Sequence, residues 1–65
     1  MLENVDFIAK DYVTRFYVNQ DGHGNWKAFK TFNGKVEEER YCISRKHAER
    51  TRSWMVEKFW SYKVN

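Results

Sequence analysis

Over residues 25 to 50 the chain reads NWKAFKTFNGKVEEERYCISRKHAER, with cations set beside aromatic residues through much of it. Lys and Arg neutralise phosphates and release counterions, and aromatic rings offer faces on which bases stack. These residue types suit nucleic acid. Glu37, Glu38 and Glu39 point the other way, since three adjacent carboxylates repel a phosphate backbone unless they are turned aside or neutralised. Which reading holds depends on the face each side chain takes.

Other chemistry finds little footing. There is no Ser/His/Asp, Cys/His or phosphate-loop constellation. His23 and His47 are isolated from each other, and no Cys/His group has zinc spacing, so neither a metal nor a cofactor is expected. The single cysteine, Cys42, lies two residues from Arg40, which favours its thiolate slightly but makes no nucleophile on its own. The three glutamates cannot all line one site on a strand, because neighbours alternate sides. The expectation is a binding protein and not an enzyme.

Sixty-five residues make one small domain, 1–65. A chain of this size buries only about 60% of its unfolded surface, so its core needs most of the large apolar residues available. Three Trp, four Tyr and five Phe supply much of that area. Residues 1 to 43 carry six Lys/Arg against seven Asp/Glu, and residues 44 to 65 carry six against two. The positive charge is thus gathered in the last third, which suits an acidic partner. The start, MLENVDFIAK, has neither the positive opening nor the apolar run of a secretory signal, and no stretch is apolar enough to span a membrane. With a lone thiol, this leads to the expectation of a cytoplasmic protein with no membrane partner.

Positioning falls to a few elements. Residues 12 to 19, YVTRFYVN, are β-branched and aromatic and read as a strand. QDGHGN reads as a loop, and residues 25 to 32 as a second strand. Asn33-Gly34 is the strongest short hairpin signal, since both residues accept the positive φ of a type I′ turn. Residues 35 to 43 return as a third strand. Ser44 is placed to cap a helix running to about Tyr62, with Ala48, Met55, Phe59 and Tyr62 on one face and Val56 and Trp60 widening it. Residues 1 to 10 either start a strand or wrap the core through Val5, Phe7 and Ile8. The expected fold is α+β: a three-stranded antiparallel β-sheet packed on one C-terminal α-helix.

A two-residue turn sets the register. Phe32 then faces Lys35, Lys30 faces Glu37, Ala28 faces Glu39 and Trp26 faces Tyr41. The helix side would hold Trp26, Ala28, Phe32, Tyr41 and Ile43, joined by Phe16 and Val18, with a Lys30–Glu37 ion pair at the rim. The open side would hold Arg15 and Tyr17, then Lys27, Phe29 and Thr31, then Val36, Glu38, Arg40 and Cys42. On this register Glu38 alone of the three glutamates faces out with the cations.

Trp26-x-Ala28, the Asn33-Gly34-Lys35 turn, a returning strand and Ala48 soon after the helix start give the chain a family likeness. Over residues 14 to 62 it resembles two sheet-plus-helix DNA-binding domains: the N-terminal arm-binding domain of phage-type tyrosine recombinases, and the plant ethylene-response type of transcription factor domain. The resemblance implies a sheet entering the major groove of double-stranded DNA. Arg15, Tyr17, Lys27, Phe29, Thr31 and Arg40 match the outward positions. It also implies a phage or mobile-element regulator or recombination accessory. The chain departs from it in having few arginines on its 12–19 strand, an acidic returning strand, and an aromatic cluster, WMVEKFWSY, late in the helix.

Arg45, Lys46 and Arg50 crowd the helix start, the end where the dipole favours negative charge. They serve either phosphate contact or pairing with Glu49 and the Glu37–Glu39 run. Tyr17 and Phe29 either meet bases or stiffen the sheet as a cross-strand pair. Trp54, with Lys58 one turn on, is either a protein contact or covered by the segment around Phe7 and Ile8. The second function in view is therefore a small interaction protein that binds a host protein through Trp54 and Glu37–Glu39.

Overall fold

The computed structural model describes residues 4 to 64, with side chains described for residues 4 to 61. Four strands precede one helix: β1 (Val5–Ala9), β2 (Tyr12–Gln20), β3 (Trp26–Phe32), β4 (Lys35–Cys42) and α1 (Arg45–Val64). The strands form one antiparallel meander in the order β1-β2-β3-β4, and the helix packs across one side. The fold is α+β as expected, but the sheet has four strands where three were anticipated.

The additional strand is β1. It pairs with β2 from Val5 opposite Phe16 to Ala9 opposite Tyr12. Its turn, Lys10-Asp11, contains no glycine or asparagine, and Lys10 itself takes the left-handed conformation at φ 55°. A lysine gives no signal for such a turn. The strand's value lies in Phe7, which meets Phe16 edge-on at 5.9 Å and Phe59 at 5.1 Å. Phe16 also meets Phe59 at 5.5 Å. This trio of rings ties β1 and β2 to the second half of α1. Phe16, Val18, Ala28, Ala48 and Met55 are buried, with Val5, Cys42, Val56 and Phe59 partly so.

Asn33 and Gly34 adopt positive φ, 49° and 84°, as the turn requires. Asn33 also binds back to β2: its Oδ1 accepts from the Val13 N–H and its own N–H donates to the Val13 carbonyl. Ser44 caps α1, its Oγ accepting from the His47 N–H at 3.1 Å. His47 reaches back in turn, its Nδ1 accepting from the Ile43 N–H at 3.2 Å. The pair is a variant of the capping box in which the third helical residue, His47, reaches the N–H one residue before the cap.

The register of β4 departs from a plain hairpin. Phe32 faces Lys35 and Thr31 faces Val36 as the turn dictates, but Lys30 then faces Glu38. Glu37 is a bulge, and a one-residue shift exchanges the two sides of everything beyond it. Ala28 lies opposite Arg40 and Trp26 opposite Cys42, so Glu38, Arg40 and Cys42 turn to the helix side. Glu39 and Tyr41 turn to the open side. This corrects the expected placement of Arg40, Glu38 and Cys42 on the open side and of Tyr41 in the core. Tyr41 is 67% exposed and Ile43 92% exposed, while Phe32 and Trp60 lie at the margin. The exchange suits the packing. Ala28 and Ala48 are fully buried where the helix start approaches the sheet, which leaves room for a thiol and not for a phenol. Cys42 Sγ comes within 3.6 Å of Thr51 Oγ1 there.

Candidate nucleic-acid interface

The open side of the sheet brings together Arg15 and Tyr17 from β2 with Lys27, Phe29 and Thr31 from β3, as the sequence implied. Tyr17 and Phe29 are direct cross-strand partners, stacked at 4.8 Å with their planes 15° apart. Both rings are half-buried and occupied with each other, and Thr31 is buried. The two cations are occupied as well. Arg15 holds Asp6 of β1 with two contacts, Nε to Oδ1 at 2.9 Å and Nη2 to Oδ2 at 3.2 Å. That bond and the charge of Asp6 raise the guanidinium's pKa further. Lys27 Nζ donates to Glu39 Oε1 at 3.1 Å and sits 4.5 Å from the centre of the Tyr41 ring. Its pKa is raised by the Glu39 bond first and by Tyr41 next. The Lys27 side chain keeps only 15% of its exposure. Each cation on this face has a carboxylate, so the face is close to neutral.

The glutamate run is consumed in the same way. Glu37 meets Lys30 at 3.5 Å, Glu38 meets Arg40 at 2.6 Å and Glu39 meets Lys27. Three consecutive carboxylates thus take three different cations. Only the Lys30–Glu37 pair follows from the turn alone. Glu38 and Arg40, two residues apart on β4, share a side in any register, and the Glu39–Lys27 pair depends on the bulge in the β3–β4 pairing.

A different surface holds cations in excess. It lies at the corner where β4 leads through Ile43 and Ser44 into α1. Arg45 pairs with Glu49 one turn on, at 3.2 Å. Lys46 and Arg50 have no carboxylate partner among the described residues. Arg40, from the edge strand, lays its guanidinium 5.0 Å from the centre of Trp54, and Lys58 Nζ lies 4.9 Å from the same ring. Between strand and helix runs an open cleft of about 560 Å³, lined by Arg40, Tyr41, His47, Arg50, Thr51 and Trp54. A smaller hollow of about 370 Å³ continues it past Lys46 to Ile43.

Of the nine residues expected to meet nucleic acid, the fold therefore divides the set. Arg15, Tyr17, Lys27, Phe29 and Thr31 share the open face, while Arg40, Arg45, Lys46 and Arg50 gather at the corner. Trp54 belongs to the corner, 46% exposed and flanked by cations, and Phe7 packs on Phe59 and Trp60 instead of covering it. Sequence reasoning missed Tyr41 and His47. The signal was present: His47, Thr51, Trp54 and Lys58 recur at spacings of four, three and four, a second helix stripe beside the buried one.

At the far end of α1 the surface changes character. Phe7, Ile8, Tyr12, Phe32, Phe59 and Trp60 surround an open apolar groove of about 440 Å³. Tyr12 stacks on Phe32 at 5.5 Å and Phe7 on Trp60 at 5.7 Å. Among the described residues no helix is long and apolar enough to cross a membrane, and no group of three or more His, Cys, Asp or Glu is placed to hold a metal ion. Comparison with protein-family models, with curated proteins and with solved structures finds no match to this chain.

Proposed function

We propose that this protein binds DNA, and that its leading contact surface is the β4–α1 corner and not the open face of the sheet. The observation that carries the reading is the contrast in pairing. Among the described residues Lys46 and Arg50 have no carboxylate partner, whereas Arg15 and Lys27 are each held by one. Lys46 and Arg50 are also like charges one turn apart at the unfavourable end of a helix, a local arrangement that costs a few tenths of a kcal/mol or more. Binding phosphates would offset that cost. The sheet face contributes to binding only where a phosphate displaces Asp6 or Glu39. The mobile-element setting rests on the resemblance in Trp26, Ala28, Asn33-Gly34-Lys35 and Ala48.

The test is a titration of labelled DNA, duplex and single-stranded, at about 50 and 200 mM salt. Neutralising two to four phosphates gives a log–log slope of roughly −2 to −4 on a duplex and somewhat less on a single strand. Absence of binding to either form at the lower salt overturns the proposal.

A second reading is supported by the apolar groove. Ile8, Tyr12 and Trp60 expose large apolar area around one depression, which suits a protein partner better than the internally paired glutamates do. Replacing Ile8 and Trp60 with serine would then abolish a specific protein complex and leave DNA binding unchanged. Loss of DNA binding alone in that variant rejects this second reading.

A further inference from the structure

We propose that two copies of this chain pair through β1, edge to edge and antiparallel, so that their sheets join into one. This builds on the protein-partner reading of the apolar groove and names the partner as the same chain. The β4–α1 corner lies at the opposite edge of the sheet and stays open in the pair.

The first support is the contrast between the two edges. β4 carries the charged residues Lys35, Glu37, Glu38, Glu39 and Arg40, with a bulge at Glu37. Charges and bulges keep an edge from pairing with a further strand. β1, VDFIA, has no bulge, and its one charged residue, Asp6, is held by Arg15 of β2. The turn fixes which way its backbone groups point. Ala9 and Tyr12 close a two-residue turn and exchange both backbone bonds, and every second pair does the same. Val13 fits this alternation, since its N–H and carbonyl serve Asn33 on the β3 side. Its partner Ile8, and Asp6 two residues earlier, therefore turn N–H and C=O to the free edge.

The second support is that this edge matches itself. Pairing through those outward groups about a two-fold axis allows three registers of Asp6 and Ile8. Asp6 opposite the partner's Asp6 confronts two carboxylates. Asp6 opposite the partner's Ile8 sets a charged side chain against an apolar one, twice. Ile8 opposite the partner's Ile8 joins two apolar side chains and brings each Asp6 beside the partner's Lys10, opposite in charge. Lys10 has no carboxylate partner among the described residues of its own chain. The third register alone gains at both sites.

The third support is what that register covers. Ile8 is 73% exposed and lies beside Val13 in its own sheet. Across the axis the open side then carries one apolar row: Val13, Ile8, the partner's Ile8 and the partner's Val13. On the helix side Phe7 comes opposite the partner's Ala9, whose neighbour on β2 is the partner's Tyr12. Phe7, Ala9 and Tyr12 all line the apolar groove, where Trp60 stacks on Phe7. The two grooves thus meet at the axis, and Tyr12 of one copy approaches Phe7 and Trp60 of the other.

The experiment is sedimentation equilibrium of the full chain without nucleic acid, over a micromolar concentration range. The expected result is a monomer–dimer equilibrium. Ile8→Lys sets two cations opposite each other and removes the apolar contact, so it should weaken the dimer at least about tenfold. Ile8→Val should keep it. A melt of Ile8→Lys at low concentration should match the parent's, which separates pairing from damage to the fold. The register is read by cross-linking in a Cys42→Ser background. Facing residues of a bonded pair have Cα atoms about 5.5 Å apart, within disulfide reach, so Ile8→Cys should oxidise to a covalent dimer. Val36→Cys, exposed on the β4 edge, should not. A monomer at every concentration overturns the pairing. If that monomer still loses a foreign protein in the Ile8→Ser, Trp60→Ser variant, the groove reading stands without it. Equal cross-linking of Ile8→Cys and Val36→Cys overturns the choice of edge.

Discussion

On the open face of the sheet, Arg15 and Lys27 each meet a carboxylate delivered by a neighbouring strand. Around the first turns of α1, Lys46 and Arg50 meet none among the described residues. The residue types are the same. The difference comes from the geometry of each element. Antiparallel strands set residues of two chain segments directly opposite, so cations and anions far apart in sequence become pairs. A helix surface offers partners only three or four residues away, and at those distances Lys46 has Arg50 and Glu49, the latter already held by Arg45. A list of basic residues therefore overstates the sheet and understates the corner. What separates them is the number of carboxylates within reach, which the fold decides.

The largest effect falls on the scaffold common to both surfaces. Phe16 is fully buried and touches rings from β1 and α1, so Phe16→Ala should cost about 3–5 kcal/mol. In a domain of this size that removes most of the stability, and a thermal melt followed by circular dichroism should show no cooperative transition. A melt near that of the parent would mean that the aromatic trio does not hold sheet to helix.

The next test addresses the comparison itself. Lys46→Ala with Arg50→Ala should weaken DNA binding about tenfold or more and reduce the salt slope by about 2. Arg15→Ala with Lys27→Ala should weaken it less than about threefold, because those cations already have partners. Equal losses in the two double variants, read by fluorescence anisotropy, would erase the distinction.

A smaller effect sharpens it from the opposite direction. Asp6→Asn with Glu39→Gln removes the two carboxylates and leaves Arg15 and Lys27 uncommitted on the open face. Affinity for duplex DNA should then rise by about two- to fivefold, in line with the modest worth of exposed ion pairs. An unchanged affinity would show that pairing is not what keeps this face from binding.

The smallest effect lies outside both surfaces and serves as their control. In the β2–β3 loop Asp21 accepts from the Asn25 N–H and the His23 N–H, each at 2.9 Å. The Asn25 bond, then the His23 bond, holds its pKa below the ordinary carboxylate value. A lowered folded-state pKa contributes stability above the unfolded value of about 3.9, and that contribution is lost as pH falls through the folded value. The urea midpoint of the parent should fall between about pH 4 and the folded-state value. Asp21→Asn should flatten that part of the profile while leaving DNA affinity at neutral pH unchanged. A profile identical to the parent's would remove Asp21 from the acid response.

How far the fold could be read from sequence differs from element to element. β2, β3 and the Asn33-Gly34 turn carried local signals and formed as expected. So did the Ser44 cap, the Lys30–Glu37 rim pair and the helix face built on Ala48, Met55 and Phe59. β1 is five residues long and closes through a lysine at positive φ, so its strand character comes from Phe7 packing on Phe16 and Phe59. The bulge at Glu37 has no local signature either, and it moved Arg40, Cys42 and Tyr41 to the sides opposite to those a plain hairpin dictates. For the candidate site this means that its residue types were legible, whereas its membership was not.

Sequence by itself determined the α+β class, the meander with its Asn-Gly hairpin, the capped C-terminal helix and the concentration of positive charge in that helix. These follow from propensity, periodicity and turn chemistry, which act over a few residues. Only the tertiary structure decided that all three glutamates are neutralised, that Arg15 and Lys27 are paired, and that Arg40 and Lys58 meet Trp54 at the corner. Those outcomes depend on a one-residue bulge and on contacts between distant segments. A side chain on a strand has two sides to choose from, and a single unpaired residue reverses the choice for all that follow.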